Sequence, residues 1–127
     1  MSEFIHSFTD NIGGPNCPSC HAARVLPAKS REKMRLYPER WEPDACLSLK
    51  TKCGSLTVCT HFMHCDRRVI GGPNEWYETI IFAERTAPGR PPFREWLDFR
   101  RGYATKAMAE FGHAQVERMI EPGVNAL

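Results

Sequence analysis

Ser55-Leu56-Thr57-Val58-Cys59-Thr60-His61-Phe62-Met63-His64-Cys65 is the stretch on which the reading of this 127-residue chain turns. Its alternation is that of a strand, with Leu56, Val58 and Thr60 on one face and Thr57, Cys59, His61, Met63 and Cys65 on the other. That parity puts Cys59, His61 and Cys65 on a common side, whereas His64 faces away unless the strand ends before it. Gly54, directly after Cys53, signals a hairpin turn or bulge at the upstream end. Before it, residues 46–51 alternate weakly, entered from a loop at Trp41-Glu42-Pro43-Asp44.

Downstream, Trp76-Tyr77-Glu78-Thr79-Ile80-Ile81-Phe82-Ala83 carries the strongest strand composition in the chain, rich in aromatic and β-branched residues. With residues 55–65 it predicts an antiparallel pair joined by a loop near residues 67–74, where Ile70-Gly71-Gly72-Pro73-Asn74-Glu75 is a turn signal. A Pro/Gly-rich loop over 86–92 leads to a short extra element at 93–101, with Phe93, Trp96, Leu97 and Phe99 available for packing. Thr105 then caps a helix whose stripe is Ala107, Met108, Phe111, Ala114, Val116, Met119 and Ile120, ending at Pro122-Gly123. Met63, Met108 and Met119 read as core-filling side chains. Gly112 inside the helix costs about 1 kcal/mol relative to alanine, which implies close approach to the sheet.

The expected fold is α+β: a small antiparallel β-sheet or hairpin packed by a C-terminal α-helix, with a loop-rich N-terminal half stapled by a zinc site. Residues 1–54 form an N-terminal arm with a metal knuckle and a basic connector. Residues 55–127 form the hairpin plus helix, the whole reading as one compact domain. Apolar residues at 42% and charged residues at 25% are ordinary for a globular chain and exclude wholesale disorder. The formal net charge of +2 is too small to imply nucleic acid on global electrostatics alone.

No apolar run is long enough to span a membrane, and residues 1–6 lack a basic region leading into an apolar one, so no secretory signal is expected. The six cysteines are then expected in a reducing compartment, where Cys-x2-Cys reads as metal ligation. Phe4, Ile5 and Phe8 anchor an ordered arm over residues 1–12, and Gly13-Gly14-Pro15-Asn16 turns into Cys17-Pro18-Ser19-Cys20. In such a knuckle, backbone N–H groups after the first cysteine point at its sulfur and stabilise the thiolate.

Tetrahedral zinc wants four sulfur or nitrogen ligands. Cys17 and Cys20 supply two, and two of Cys59, His61, His64 and Cys65 supply the others. Against this, Cys59 is equally a buried small hydrophobe. Cys46 and Cys53 rank behind these as ligands and are alternatively a pair with each other. His113 reads as a satisfied packing residue whose ring bonds into a loop. Catalysis has little support: no His-Glu-x-x-His occurs, no His-x-Glu with a downstream Pro-Cys-x-x-Cys occurs, and Cys65-Asp66 is the wrong order for an HNH-type nuclease.

Residues 24–40 hold six basic and two acidic side chains. They read as a solvated connector with a short helix near residues 30–36, capped by Ser30, or as a strip that meets phosphate.

Glu78-Thr79-Ile80-Ile81-Phe82, Tyr103-Ala104-Thr105, Ala109, Gly112-His113 and Val116 resemble a widespread family of small uncharacterised proteins of tailed bacteriophages and prophages. That family carries an E-T-M-V-F strand followed by Y-[SA]-T-x3-A-x2-G-H on a helix. Upstream, Ser55, Thr57-Val58 and His64 look like its S-T-V-W-L-G-L-D-H strand and loop. The likeness spans residues 55–120. The chain departs from the pattern at Cys59, where an aromatic is usual, at Cys65, at Gly102, and in having Cys17-x2-Cys20 at all. The resemblance implies a hairpin-plus-helix scaffold of phage origin, with His64 and His113 serving that scaffold. It leads us to expect a zinc-stabilised structural or assembly component of a tailed-phage particle, such as a head, connector or tail accessory protein. Such a protein is made in the host cytoplasm and resides in the virion among other phage structural proteins, in many copies. The alternative is a zinc-ribbon-like nucleic-acid-binding or regulatory accessory protein using residues 24–40.

Overall fold

The structure is a computed structural model and describes residues 17–66 and 74–120. The expected N-terminal arm and its Gly-Gly-Pro turn, most of the loop between the two strongest strands, and the Pro122-Gly123 helix stop lie outside the described residues. Two short helices, α1 (Pro18–Val25) and α2 (Ala28–Lys33), and a 3-10 turn (Pro38–Arg40) precede the sheet. The sheet consists of β1 (Ser48–Cys53), β2 (Leu56–Phe62), β3 (Tyr77–Arg85) and β4 (Phe93–Tyr103), and α3 (Lys106–Ile120) follows. The strands lie in sequence order as an antiparallel meander, and α3 packs on one face.

The β1–β2 connection is a two-residue loop, since Cys53 pairs with Leu56 and Gly54 sits at a φ of 62°. A glycine at positive φ in the first loop position is what the right-handed twist of a tight hairpin demands. Gly54 is also where the two expected portions of the chain meet, and β1 pairs with β2 across it.

The 93–101 segment, expected as a short extra element, is instead the longest strand, 11 residues paired along β3. Its register slips between Ile80 and Phe82, where Arg100 and Trp96 are their respective partners. The sequence reading missed this strand because three arginines and two acids interrupt its alternation. Ion pairs on one face explain how those charges are tolerated: Arg100 bonds Glu78 at 2.8 Å and Glu75 at 3.2 Å.

The Cys17-Pro18 segment opens α1 rather than a bare knuckle, because proline at the first helical position lacks only an N–H that the helix leaves unpaired anyway. Ser30 does not cap α2; Pro27 occupies that position.

Thr105 caps α3 as expected, its hydroxyl accepting a hydrogen bond from the Met108 N–H at 3.2 Å. The buried face of α3 is not the expected stripe. Ala109, Gly112, His113 and Val116 are buried, while Met108 and Phe111 of that stripe are exposed and Met119 is not core-filling. The reason is polar. His113 is almost fully buried, and the Thr51 hydroxyl meets its Nε2 at 2.8 Å while the Thr60 hydroxyl meets its Nδ1 at 2.7 Å. The chain continues through Thr60 to Thr79 at 2.5 Å and to the Tyr103 hydroxyl, which donates to Thr79 at 3.0 Å. A buried polar atom left without a partner costs about 1–3 kcal/mol, so the threonines on β1, β2 and β3 dictate which side of α3 turns inward. His113 is a satisfied packing residue, but its partners are strand threonines rather than a loop.

Gly112 does what its helical cost implied: a Cβ there would fall onto the ring of the buried Tyr103. Gly112→Ala gains about 1 kcal/mol of helix propensity but overpacks the Tyr103 contact at about 1–3 kcal/mol. Denaturant unfolding is expected to show the variant less stable than the wild type; an equal or higher midpoint would contradict the packing described.

Candidate metal centre

At the end of the sheet reached by the start of β1 and the close of β2, Cys17, Cys20, Cys46 and His64 present three sulfurs and a ring nitrogen, all within 4.8 Å of one another. The Cys20 sulfur lies 3.2 Å from His64 Nε2, the Cys46 thiol donates to the Cys17 sulfur at 3.3 Å, and Cys46 is 4.0 Å from His64 Nε2. A tetrahedral ion with sulfur at ~2.3 Å and nitrogen at ~2.0 Å sets its ligand atoms ~3.5–3.8 Å apart, so this set has the size and donor chemistry of a structural metal site. The three cysteines are buried and His64 is partly so.

Each ligand arrives by a distinct local device. Cys17 stands immediately before α1, and Cys20 follows one helical turn later. Burial opposes ionisation of Cys17, but the N–H of Cys20, the Cys46 thiol and the N–H of Ser19 all favour its thiolate and hold the group below the usual thiol range. That is the sulfur-directed N–H pattern expected of the knuckle, delivered here by the first turn of a helix. Cys20 is pushed well up, first by burial and then by the neighbouring Cys46 and Cys17 sulfurs. Three sulfurs this close cannot all ionise without a cation among them.

Cys46 reaches the site from the loop that enters β1. Asp44 in that loop has a φ of 54°, and Lys106 at the start of α3 grips the loop twice. Its N–H donates to the Glu42 carboxylate at 2.8 Å and its Nζ to the Asp44 carbonyl at 3.0 Å. The Tyr77 hydroxyl donates to the Ala45 carbonyl at 2.6 Å, and burial together with Glu42 keeps that phenol neutral, well above its usual range.

His64 arrives because β2 ends at Phe62, with the Met63 N–H bonding the Trp76 carbonyl at 2.7 Å, and because His64 itself adopts a φ of 65°. Left-handed backbone is tolerated by histidine more than by most residues, and it turns the ring back from the side that strand parity would have given it. The ring packs against Trp41 at 5.6 Å and Phe62 at 4.5 Å between centroids. Burial, with His61 and Arg24 adding to it, lowers the pKa of His64, which favours the neutral imidazole that a metal requires.

Of the residues expected to ligate, the structure brings together Cys17, Cys20 and His64, and it adds Cys46, which had ranked behind. Cys59, His61 and Cys65 fall outside the cluster. Cys59 remains on the strand, paired across from Lys50 and Ile80, where burial pushes its thiol up against the opposing pull of Lys50 and Arg94. His61 pairs with Glu78 at 3.2 Å. Cys65 packs against the core around Trp41 and Phe62. Cys46 and Cys53 do not pair with each other: no disulfide joins any of the six cysteines, and the Cys53 thiol donates to the Ile120 carbonyl at 3.6 Å. A signal for Cys46 existed in the sequence. A two-residue turn at Gly54-Ser55 sets the hairpin register, and counting back along it places residue 46 across from residue 63, beside His64.

Among the described residues, no helix is long and apolar enough to cross a membrane. Comparison with known protein families, with curated proteins and with solved structures finds no match in any of them.

Burial ranks the cysteines for chemical access. In the folded protein, brief alkylation followed by peptide mapping is expected to label Cys59 and Cys65, which are partly accessible, ahead of Cys17, Cys20 and Cys46. Equal or faster labelling of Cys20 or Cys46 would contradict the closed cluster.

Proposed function

We propose that this chain is a small zinc-stabilised structural or assembly component of a tailed-phage particle, with Cys17, Cys20, Cys46 and His64 as the zinc ligands. The observation that carries the metal half is the closed Cys3His set drawn from three separate segments, the start of α1, the loop before β1 and the turn after β2. Three thiolates and one imidazole in a tetrahedron are zinc's structural chemistry. With all four positions filled by protein, the ion has no place for a substrate or an activated water, so its work is to hold α1 and the 41–47 loop to the end of the sheet. The proposed role is therefore non-catalytic.

The particle half is supported by the phage-like residues themselves. Thr79, Tyr103, Thr105, Ala109, Gly112, His113 and Val116 all lie along the seam between α3 and the sheet or cap the helix. They form a scaffold whose shared element is packing, as expected of proteins that build an assembly rather than catalyse a reaction.

A second reading is favoured by the surface of the N-terminal segment, where Arg24, Lys29, Lys33, Arg35 and Arg40 are all exposed. It is an accessory protein that meets nucleic acid through residues 24–40. Binding that falls steeply with salt, and is lost on neutralising Lys29, Lys33 and Arg35, is its mark.

Metal analysis of protein purified without chelator is expected to return one zinc per chain. Cys46→Ser and His64→Ala should each lose the metal and lower the melting temperature, whereas Cys59→Ser should keep both. Retention of full zinc by Cys46→Ser would overturn the ligand set. Mass spectrometry of purified particles checks the location, and absence of the chain from them, with salt-sensitive nucleic-acid binding in its place, would favour the second reading.

A further inference from the structure

The Cys3His cluster divides into two close pairs. The Cys17 and Cys46 sulfurs stand 3.3 Å apart, and the Cys20 sulfur faces His64 Nε2 at 3.2 Å, while Cys46 lies 4.0 Å from that nitrogen. A disulfide sets its sulfurs ~2.05 Å apart, so Cys17 and Cys46 have about 1.3 Å to close. Neither residue lies within a helix or strand: Cys17 stands ahead of α1 on extended backbone, and Cys46 is in the loop before β1. Cys20, by contrast, is inside α1. Two thiols poised in this way can be joined to each other as well as to an ion.

We propose that the cluster is a redox switch, in which hydrogen peroxide joins Cys17 and Cys46 as a disulfide and the zinc ion, left with Cys20 and His64, is released. This rests on the zinc reading of the four residues and is independent of the particle role. One of the two thiolates attacks a peroxide oxygen, the O–O bond breaks, and a sulfenic acid forms as hydroxide leaves. The other thiolate attacks that sulfur, forming the S–S bond and expelling a second hydroxide. Two electrons pass from the thiolates to the peroxide, and two protons from solvent turn the hydroxides into water. Cys20 takes up a proton as the ion departs. Burial chooses the oxidant: Cys17 is 2% exposed and Cys46 3%, which admits a small peroxide and shuts out a bulky disulfide such as glutathione disulfide. The new bond spans 29 residues and keeps the start of α1 tied to the entry of β1. His64, in left-handed backbone at the turn after β2, and Cys20 lose their ligand roles. Oxidation thus exchanges a four-point staple for a two-point one.

The test uses the full zinc-loaded chain, its metal content measured first. It is treated with hydrogen peroxide beside a colorimetric zinc chelator too weak to strip the untreated protein, then mapped by peptide mass spectrometry without reduction. About one zinc per chain should be released in step with a Cys17–Cys46 cross-link, and a dithiol reductant with fresh zinc should restore both thiols and metal. Glutathione disulfide at equal concentration should release zinc about tenfold more slowly or less. The double variant Cys59→Ser with Cys65→Ser keeps all four cluster residues and should release zinc as the wild type does. Zinc retained while Cys59 and Cys65 oxidise, release with no cross-link or a different one, release as fast with glutathione disulfide, or a double variant that holds its zinc under peroxide would each overturn the switch and leave the zinc reading standing. A chain that carries no zinc when purified without chelator would overturn both.

Discussion

A histidine buried between a helix and a sheet has to find partners for both ring nitrogens, and most of this structure follows from how His113 does so. Thr51 and Thr60 meet the ring from neighbouring strands, and Thr60 hands the hydrogen-bond chain on through Thr79 to Tyr103. Apolar packing alone leaves a helix free to roll by tens of degrees over a sheet, whereas directional bonds to fixed hydroxyls do not. The azimuth of α3 is thereby set, with Gly112 against Tyr103, Val116 packed with Val58 and Ile81, and Phe111 directed to solvent.

The same anchoring reaches the Cys3His cluster. With α3 held in register, Lys106 at its first position lies over the loop that enters β1 and takes hold of Glu42 and Asp44, two residues short of Cys46. The other strand of that hairpin delivers His64 to the same end of the sheet. Asp44 and His64 both adopt left-handed backbone, at about 1–3 kcal/mol each for a residue other than glycine. The packing of His64 against Trp41 and Phe62 offsets part of that strain. The cluster thus stands where the N-terminal segment meets the sheet, with Cys20, Ala23 and Leu36 in one buried core with Phe62, Trp76 and Tyr77.

Two sets of residues divide the work. Thr60, Thr79, Tyr103, Gly112, His113 and Val116 lie along the seam between α3 and the sheet, and Cys17, Cys20, Cys46 and His64 gather at one end of it. Cys17, Cys20 and Cys46 are supplied from the N-terminal side of β1.

From the sequence alone came the strand periods of β2 and β3, the turn at Gly54, the cap at Thr105, the close approach at Gly112 and a Cys-x2-Cys to be joined by two of Cys59, His61, His64 and Cys65. Each of these depends on interactions within a few residues, or on a single residue with one conformational role. Which further side chains gather with Cys17 and Cys20 was legible only for Cys46, through the register that the Gly54 turn sets. Cys59 and His61 share a strand face by parity, and parity is a local rule. Cys46 and His64 meet because one hairpin register brings two loops together and because His64 reverses its backbone, and both are properties of the folded chain. The helix stripe misled for a related reason: hydrophobic periodicity counts apolar side chains, while burial of α3 was decided by a histidine whose two threonine partners, Thr51 and Thr60, lie on strands distant in sequence. Local pattern determined the elements, and the geometry between elements decided which side chains gather in the Cys3His cluster, pack in the core or face the solvent.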